Sequence, residues 1–113
     1  MKSEPLLTGQ IDLLLLAVVA GAPAHGYGII ERLRQRSHGA FDLPEGTVYP
    51  ALYRLERLGF LKSDEQKVGG RTRRTYRVTR AGMAALHDRK TSWRVLVKSV
   101  EAVLRGGPVP GHA

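Results

Sequence analysis

The fold is decided in the middle of the chain, by the stretch Glu45-Gly-Thr-Val-Tyr-Pro-Ala-Leu-Tyr-Arg-Leu-Glu-Arg-Leu-Gly59. Four apolar residues recur in it at helical spacing and form one stripe: Val48, Leu52, Leu55 and Leu58. The other side of the helix carries mainly hydroxyl, aromatic and guanidinium groups, in Thr47, Tyr49, Pro50, Tyr53, Arg54 and Arg57. Such donors and flat surfaces suit phosphates and base edges. The stretch therefore predicts a helix with one face in a core and the other available to a nucleic acid.

The basic residues are concentrated in one part of the chain. The 113 residues carry a formal net charge of +8 with a pI near 10.5, which indicates either a polyanionic partner or a generally basic, soluble protein. Nine of the 18 Lys and Arg residues lie between positions 54 and 80: Arg54, Arg57, Lys62, Lys67, Arg71, Arg73, Arg74, Arg77 and Arg80. Only three acidic residues lie there, so the concentration favours contact with a nucleic acid.

No pattern in the sequence indicates an enzyme. Cysteine is absent, which excludes a disulfide framework, a thiolate nucleophile and a cysteine-based zinc site, and is compatible with a cytoplasmic setting. The four histidines, His25, His38, His87 and His112, lack metal-ligand spacing. The sequence has no phosphate-loop lysine motif, nucleophile elbow or complete dinucleotide fingerprint. We therefore expect no catalytic activity, no metal and no cofactor.

No segment is expected to enter a membrane. The apolar run Leu13–Ala20 is well short of the roughly 20 residues that a spanning helix needs, and it is interpreted as a buried helix. Residues 1–10 include an early acidic residue and no cleavage signature, so they are not interpreted as a signal peptide.

Two helices are predicted before the central stretch. The first runs from Leu7 to Ala20 and is apolar nearly all round, which indicates a subunit interface in addition to the chain's own core. The second runs from about Gly26 to Arg36, with Tyr27, Ile30 and Leu33 on its inner face. Pro44 and Glu45 suit the start of the third helix, and Pro50 predicts a local bend within it.

A hairpin is predicted after the third helix. An extended run begins at Phe60, and Thr72–Thr79 alternates as its antiparallel partner, with Tyr76 and Val78 on the inner face. Val68-Gly-Gly-Arg71 forms the tip. Three helices followed by a basic hairpin predict a mainly α fold with a small β-hairpin wing, a winged helix-turn-helix.

The predicted domain organisation ends in a long helix. Leu86, Trp93, Val97, Val100 and Leu104, with Leu96 and Val103 alongside, repeat at three and four residues and form an apolar seam that needs a partner helix. We predict a DNA-binding domain at 1–79, a dimerisation helix at 80–105 and a disordered tail at 106–113.

The sequence resembles the PadR family of transcriptional regulators in its short form. The resemblance rests on His25-Gly-Tyr-Gly28, Gly46-Thr-Val-Tyr-Pro-Ala-Leu-Tyr-Arg-Leu-Glu56, Gly69-Gly-Arg-Thr-Arg-Arg-Thr-Tyr-Arg-Val-Thr-Arg-Ala-Gly82 and Trp93. It implies a dimeric winged-helix protein that binds operator DNA, usually as a repressor, with the first and last helices forming the dimer. Pro44 is a departure, because relatives often have a serine-like residue there.

The resemblance also assigns residues to surfaces. The helix that enters the major groove carries Thr47, Tyr49, Pro50, Tyr53 and Arg54. The wing, which contacts the DNA backbone or minor groove, carries Gly69, Gly70, Arg71, Arg73 and Arg74. The dimer interface or effector pocket includes Leu14, Leu15, Val18, Trp93, Val97, Val100 and Leu104. Some short members release DNA when an aromatic or drug-like molecule binds near such a tryptophan, so Trp93 either packs the dimer or also stacks on an effector.

Several alternatives remain open at this stage. Tyr49 and Tyr53 could pack against the wing, and Arg54 could pair with Glu56. The basic wing could serve to prevent edge-to-edge pairing. The whole protein could be an antirepressor or adaptor that binds an acidic protein through its basic face. RNA binding is disfavoured because no exposed aromatic sheet is predicted.

Overall fold

The computed structural model describes residues 6–109 and residue 111, and within them the chain forms four helices and three strands. The elements are α1 (Thr8–Gly21), β1 (Ala24–His25), α2 (Gly26–Arg36), α3 (Glu45–Arg57), β2 (Leu61–Val68), β3 (Arg71–Val78) and α4 (Arg80–Arg105). The strands form one antiparallel sheet in the order β1-β3-β2. The prediction of a mainly α fold with a hairpin wing is confirmed.

The wing is the hairpin of β2 and β3. Its register pairs Leu61 with Val78 at the base and Val68 with Arg71 at the tip. Gly69 and Gly70 form the two-residue turn with positive φ angles of 57° and 78°, a conformation that favours glycine at both positions.

The strand β1 was not predicted, and no element was assigned between the first two predicted helices. Ala24 pairs with Tyr76 and His25 with Thr75, so β1 extends the wing sheet on its second edge. A strand is recognised in a sequence by the alternation of apolar and polar residues over at least four positions, and β1 has only two residues. The pairing matters because it places the start of α2 beside the base of the wing.

The core lies between the first three helices and the base of the wing. Its largest fully buried side chains are Leu15, Leu16, Val18, Val19, Ile29, Val48, Leu52, Leu55 and Leu61. Tyr76 of β3 is buried against them, as predicted, and Leu86 of α4 completes the cluster.

The inner face of α2 differs from the prediction. Ile29 is fully buried, whereas Tyr27, which was assigned to the inner face, is 61% exposed. The buried residues of α2 are Gly26, Ile29 and Leu33, which follow spacings of three and four. The buried stripe of α2 begins at Gly26, and a pattern of apolar side chains does not detect a glycine. Because Gly26 holds the inner position, the adjacent Tyr27 faces outward.

The end of α3 also corrects the predicted stripe. Leu58 is 54% exposed, and Ala51 is buried instead. The helix ends at Arg57, and Gly59 with a φ of 82° donates its N–H to the Glu56 carbonyl at 2.9 Å. Phe60 donates to the Leu55 carbonyl at 3.0 Å. This pair of bonds is the Schellman arrangement, which turns the chain before Leu58 can join the core.

The helix α4 is anchored at its first turns and then projects. Thr79 caps it by accepting a hydrogen bond from the Gly82 N–H at 3.0 Å and donating one to the Gly59 carbonyl at 2.6 Å. A Cβ atom on Gly82 would lie 2.0 Å from the Phe60 carbonyl oxygen, so this close contact requires glycine. Only Gly82 and Leu86 of α4 are buried, and the molecule measures 72 × 35 × 20 Å.

The structure leaves some expectations untested. The described residues do not include positions 110, 112 and 113 of the predicted disordered tail. They also do not include residues 1–5 of the N-terminal segment. The division into a DNA-binding domain at 1–79 and a dimerisation helix at 80–105 stays a prediction. Of the helices formed by residues 6–109 and 111, none has the length and apolar character needed to span a membrane.

Candidate nucleic-acid interface

The outward face of α3 presents a patch of polar and aromatic side chains. Pro50 and Tyr53 are exposed, and Thr47 is half-buried beside them. The Arg57 guanidinium carbon lies 5.8 Å from the centre of the Tyr53 ring, within the range of a cation–π contact. This face therefore offers hydroxyl groups, an exposed ring and a positive charge to solvent.

A cleft of about 320 Å³ lies between the wing and the start of α2, and α3 contributes Tyr49 to its lining. Tyr27 and Tyr49 line it on the helical side, and His25 and Tyr76 lie at the base. The wing contributes Arg71, Thr72, Arg73 and Arg74. The cleft thus brings aromatic hydroxyls and guanidinium groups to the two sides of one concave surface.

Tyr49 packs against α2 and keeps one side in the cleft. Its ring meets that of Tyr27 edge to face, with the centroids 6.2 Å apart and an interplanar angle of 76°. Burial and the nearby Glu45 carboxylate raise the pKa of Tyr49. Hydrogen bonding to the same carboxylate raises the pKa of Tyr27. Both phenols are therefore neutral at physiological pH, and each retains a hydroxyl proton.

His25 and Tyr27 at the start of α2 line the cleft, although no DNA contact was predicted for them. The His25 Nδ1 atom accepts a hydrogen bond from the Gly28 N–H at 3.1 Å and so caps α2. Burial, with further contributions from Arg73 and Arg32, lowers the pKa of His25. Tyr27 is exposed at the mouth of the cleft. The available signal was Gly26, since glycine between larger residues indicates a close backbone approach.

Arg54 is paired within the fold, and its predicted contact with DNA stays a prediction. Its guanidinium forms an ion pair with Asp12 of α1, whose side chain is only 5% exposed. The predicted alternative partner, Glu56, instead accepts a hydrogen bond from Ser63. Arg54 occupies the flank of α3 beside Leu55, so its side chain reaches under the helix toward α1 rather than outward. A single carboxylate within an apolar helix was the signal for such a pair, because a buried charge needs a partner.

The wing arginines fall into two groups. Arg74 donates to the Ser63 hydroxyl at 2.9 Å and to Glu65 at 2.8 Å, so it is held along the hairpin. Through Ser63 and Glu56 the same network reaches α3. Arg71 and Arg73 form no ion pair with any described residue, and both are exposed. These two guanidiniums are available to an external anion.

The residues assigned to a dimer interface also divide into two groups. Leu15 and Val18 are buried in the chain's own core, where they leave almost no surface for a partner. Trp93, Val100 and Leu104 are 44%, 46% and 78% exposed. Leu14 and Val97 are half-buried. Among the elements formed by residues 6–109 and 111, none covers the exposed side of this apolar seam of α4.

Two cavities adjoin Trp93 where α4 passes the start of α1. One has a volume of about 360 Å³ and is lined by Leu7, Gly9, Gln10, Leu13, Arg89, Ser92, Trp93 and Leu96. The other, of about 240 Å³, is lined by Leu6, Gln10, Leu13, Leu14, Phe41 and Trp93. Both walls are mainly apolar, which is the character of a space that accepts an apolar ring.

Three helices followed by a basic hairpin, with the third helix exposed beside it, define the winged helix-turn-helix class of DNA-binding regulator. Residues 15–88 match the family model described as the transcriptional regulator PadR-like family, and the chain belongs to that family. It is therefore a transcriptional regulator of the PadR family, and the members of this family bind DNA.

Named relatives agree with this membership. The chain is 38% identical to the transcriptional regulator Rv3488 of Mycobacterium tuberculosis over 90 residues. The aligned region covers 80% of this chain and 81% of that protein. A PadR family transcriptional regulator from Eggerthella lenta is 29% identical, with a TM-score of 0.80 over 88% of this chain and 85% of its own. A PadR family transcription regulator from Clostridium difficile is 31% identical, with a TM-score of 0.71. The match covers 83% of this chain and 97% of that structure.

Proposed function

We propose that the protein is a homodimeric repressor that binds an inverted-repeat operator. The observation that carries this proposal is the cleft lined by Tyr27 of α2, Tyr49 of α3 and the wing residues Arg71 and Arg73, two arginines that form no ion pair with any described residue. A duplex lying across this surface would place α3 in the major groove and the wing against the phosphate backbone. A regulator that binds DNA in this way is proposed to act in the cytoplasm.

The residues divide between base reading and phosphate contact. Thr47, Tyr49, Pro50 and Tyr53 lie on or beside the exposed face of α3 and would meet base edges. Arg71 and Arg73 would meet phosphates, and their binding would release counterions. Arg54 and Arg74 would have to give up their partners, Asp12 and Glu65, before contacting DNA. We therefore assign both of them chiefly to positioning.

The dimer is proposed to form through the seam of α4. Trp93, Leu96, Val100, Val103 and Leu104 expose apolar surface along one helix that the chain itself does not cover. A two-fold interface buries the same surface on both copies. It would set the recognition helices about one DNA turn, roughly 34 Å, apart, which matches an inverted repeat.

Release from the operator is proposed to require a small apolar or aromatic effector. The two cavities beside Trp93 provide an apolar space where α1 meets α4, the helices proposed to form the dimer. A ligand shifts a conformational equilibrium only when it binds one geometry better than the other. Trp93 is the only tryptophan, so its fluorescence reports directly on this site. Unchanged fluorescence across a panel of planar aromatic compounds would remove the effector from the proposal.

The proposed function is tested by selecting bound sequences from a random duplex pool at two salt concentrations. Enrichment of an inverted repeat with half-sites about one turn apart supports a dimeric, sequence-reading regulator. Weak binding without any motif, lost at the higher salt, would reduce the basic face to an electrostatic surface. The alternative function, an adaptor that binds an acidic protein, would then take its place.

A further inference from the structure

We propose that Asp12 is a positioning residue that sets the angle between α3 and α4. Its carboxylate lies in α1 and is shared by guanidinium groups from two other helices, Arg54 of α3 and Arg89 of α4. The Arg89 Nη1 atom is 3.8 Å from the second carboxylate oxygen of Asp12. The inference rests on the proposed function, because that function makes α3 the reading helix and α4 the dimer helix.

Asp12 is distinguished by its burial. Among the described residues, Asp12 is the one charged residue that is buried. Its side chain is 5% exposed, whereas the side chains of Arg54 and Arg89 are 40% and 31% exposed. Neither arginine forms an ion pair with any other described carboxylate. If the carboxylate is neutralised, two like charges face each other between α3 and α4, and their repulsion separates the helices.

The contact lies where α4 leaves the buried core, between Leu86 and the stretch that passes the start of α1. The buried residues of α4, Gly82 and Leu86, lie in the first two turns, and Arg89 follows within one turn. Apolar contacts are non-directional, whereas the buried Asp12 carboxylate attracts the Arg89 guanidinium, 3.8 Å away, toward one point on α1. From Lys90 to Arg105 no residue of α4 is buried, although Trp93 and Leu96 share a cavity wall with the start of α1. The part of the helix beyond Val97 projects from that contact, so a tilt at Arg89 displaces its end.

The expected displacement is large enough to affect DNA recognition. The segment from Lys90 to Arg105 is about 24 Å long at roughly 1.5 Å per residue. A tilt of about 10° at Arg89 would therefore move the end of α4 by about 4 Å. That distance is close to the separation of adjacent base pairs, about 3.4 Å along a strand. A modest change at Asp12 would thus shift the preferred half-site spacing by about one base pair.

The test measures the angle within one chain. The chain has no cysteine, so Arg57→Cys on α3 and Lys98→Cys on α4 provide two unique sites for spin labels. Labelled protein is diluted with unlabelled protein, so that electron–electron distances within a single chain are recorded. Asp12→Asn removes the charge at nearly constant shape. Arg89→Met removes only the α4 partner and leaves the pair of Asp12 with Arg54, which protects the test if Asp12→Asn does not fold.

We expect both variants to broaden or shift the distance distribution by several ångströms. Glu31→Gln is the matched control, because it breaks an exposed ion pair with Arg34 within α2, and its distribution should equal that of the parent. A distribution unchanged in the folded variants overturns the inference.

A second measurement connects the angle to DNA. Operators selected with the parent protein are lengthened or shortened by one base pair between the half-sites. In both variants the preference for the original spacing should fall by about tenfold, while affinity for random DNA stays within about twofold. A loss of stability alone would lower binding to every DNA alike, which would contradict a positioning role. If the parent protein selects no operator, the proposed function fails, whereas the spin-label distances still decide the inference.

Discussion

A Cβ atom on Gly26 would lie 2.5 Å from the ring of Tyr49, so the first residue of α2 and the reading face of α3 occupy one tightly packed contact. The tyrosine covers the glycine from the side of the cleft. This relationship explains why a glycine stands directly after the histidine that caps α2. It also means that a change in α2 is transmitted to a residue that we propose to contact DNA.

Gly26→Ala should therefore weaken operator binding with little change in stability. The new methyl group would displace the Tyr49 ring into the cleft, while the lower entropy of the unfolded chain offsets part of the cost. We expect the free energy of unfolding to change by about 1 kcal/mol or less, and operator affinity to fall about tenfold. In a Tyr49→Ala background the same substitution should have no further effect on binding. A full additional loss in that background would show that the Tyr49 ring is not the cause.

Arg71→Ala and Arg73→Ala should each reduce the salt dependence of DNA binding. Each guanidinium is exposed without an ion-pair partner among the described residues, so each is free to displace a counterion from a phosphate. The slope of log K against log salt should fall by about one for each substitution, on specific and random DNA alike. Arg74→Ala provides the comparison, because Arg74 is held by Glu65 and Ser63 and should change the slope less. A larger effect from Arg74 than from the other two would contradict this assignment.

Protonation of His25 should destabilise the fold at acid pH. Its Nδ1 must be unprotonated to cap α2, and burial together with Arg73 and Arg32 lowers its pKa from the ordinary value of 6.5. A group with a lowered pKa in the fold contributes stability that is complete above the unfolded value and is lost as the pH falls through the folded one. We expect the free energy of unfolding to decrease as the pH falls below about 6.5.

His25→Asn tests this origin of the pH dependence. Asparagine is also a good N-cap residue, but it does not titrate in this range. The free energy of unfolding is measured with urea between about pH 5 and pH 8, the range in which histidine titrates. It should depend less on pH in the variant than in the parent. The same slope in both proteins would assign the acid sensitivity to other groups.

Arg54→Met should lower stability and leave sequence preference largely intact. The substitution keeps the apolar stem but leaves the buried Asp12 with Arg89 as its remaining partner. Because Arg54 is 40% exposed, solvent screening limits the loss in unfolding free energy to about 1–2 kcal/mol. The base preferred at each position of the half-site should stay the same, whereas the preference for the original half-site spacing should fall as it does in Arg89→Met. Unchanged stability with a lost preference for one base would restore Arg54 to the base-reading residues.

The sequence alone determined the architecture of this protein and much of its basic surface. The helices were predicted from the apolar spacing in α1 and α3. The wing was predicted from the Gly69-Gly70 turn and from Tyr76 and Val78, which alternate with polar residues along β3. Both predictions succeeded because local periodicity reports which face of an element is buried. The same reasoning failed where burial depends on a chain reversal or a close approach. Leu58 follows the last turn of α3 and is exposed, and Tyr27 faces outward because Gly26 takes the inner position.

Only the tertiary structure decided which charged groups are paired. The partner of Arg54 lies 42 positions away in α1, and no local pattern connects the two residues. Likewise, the pairing of β1 with β3 places His25 beside the wing although two residues carry no strand signal. Periodicity specifies a face, but the partner of a side chain on that face depends on how distant helices pack. The division of the arginines into those held within the fold and those free to meet an anion follows from that packing.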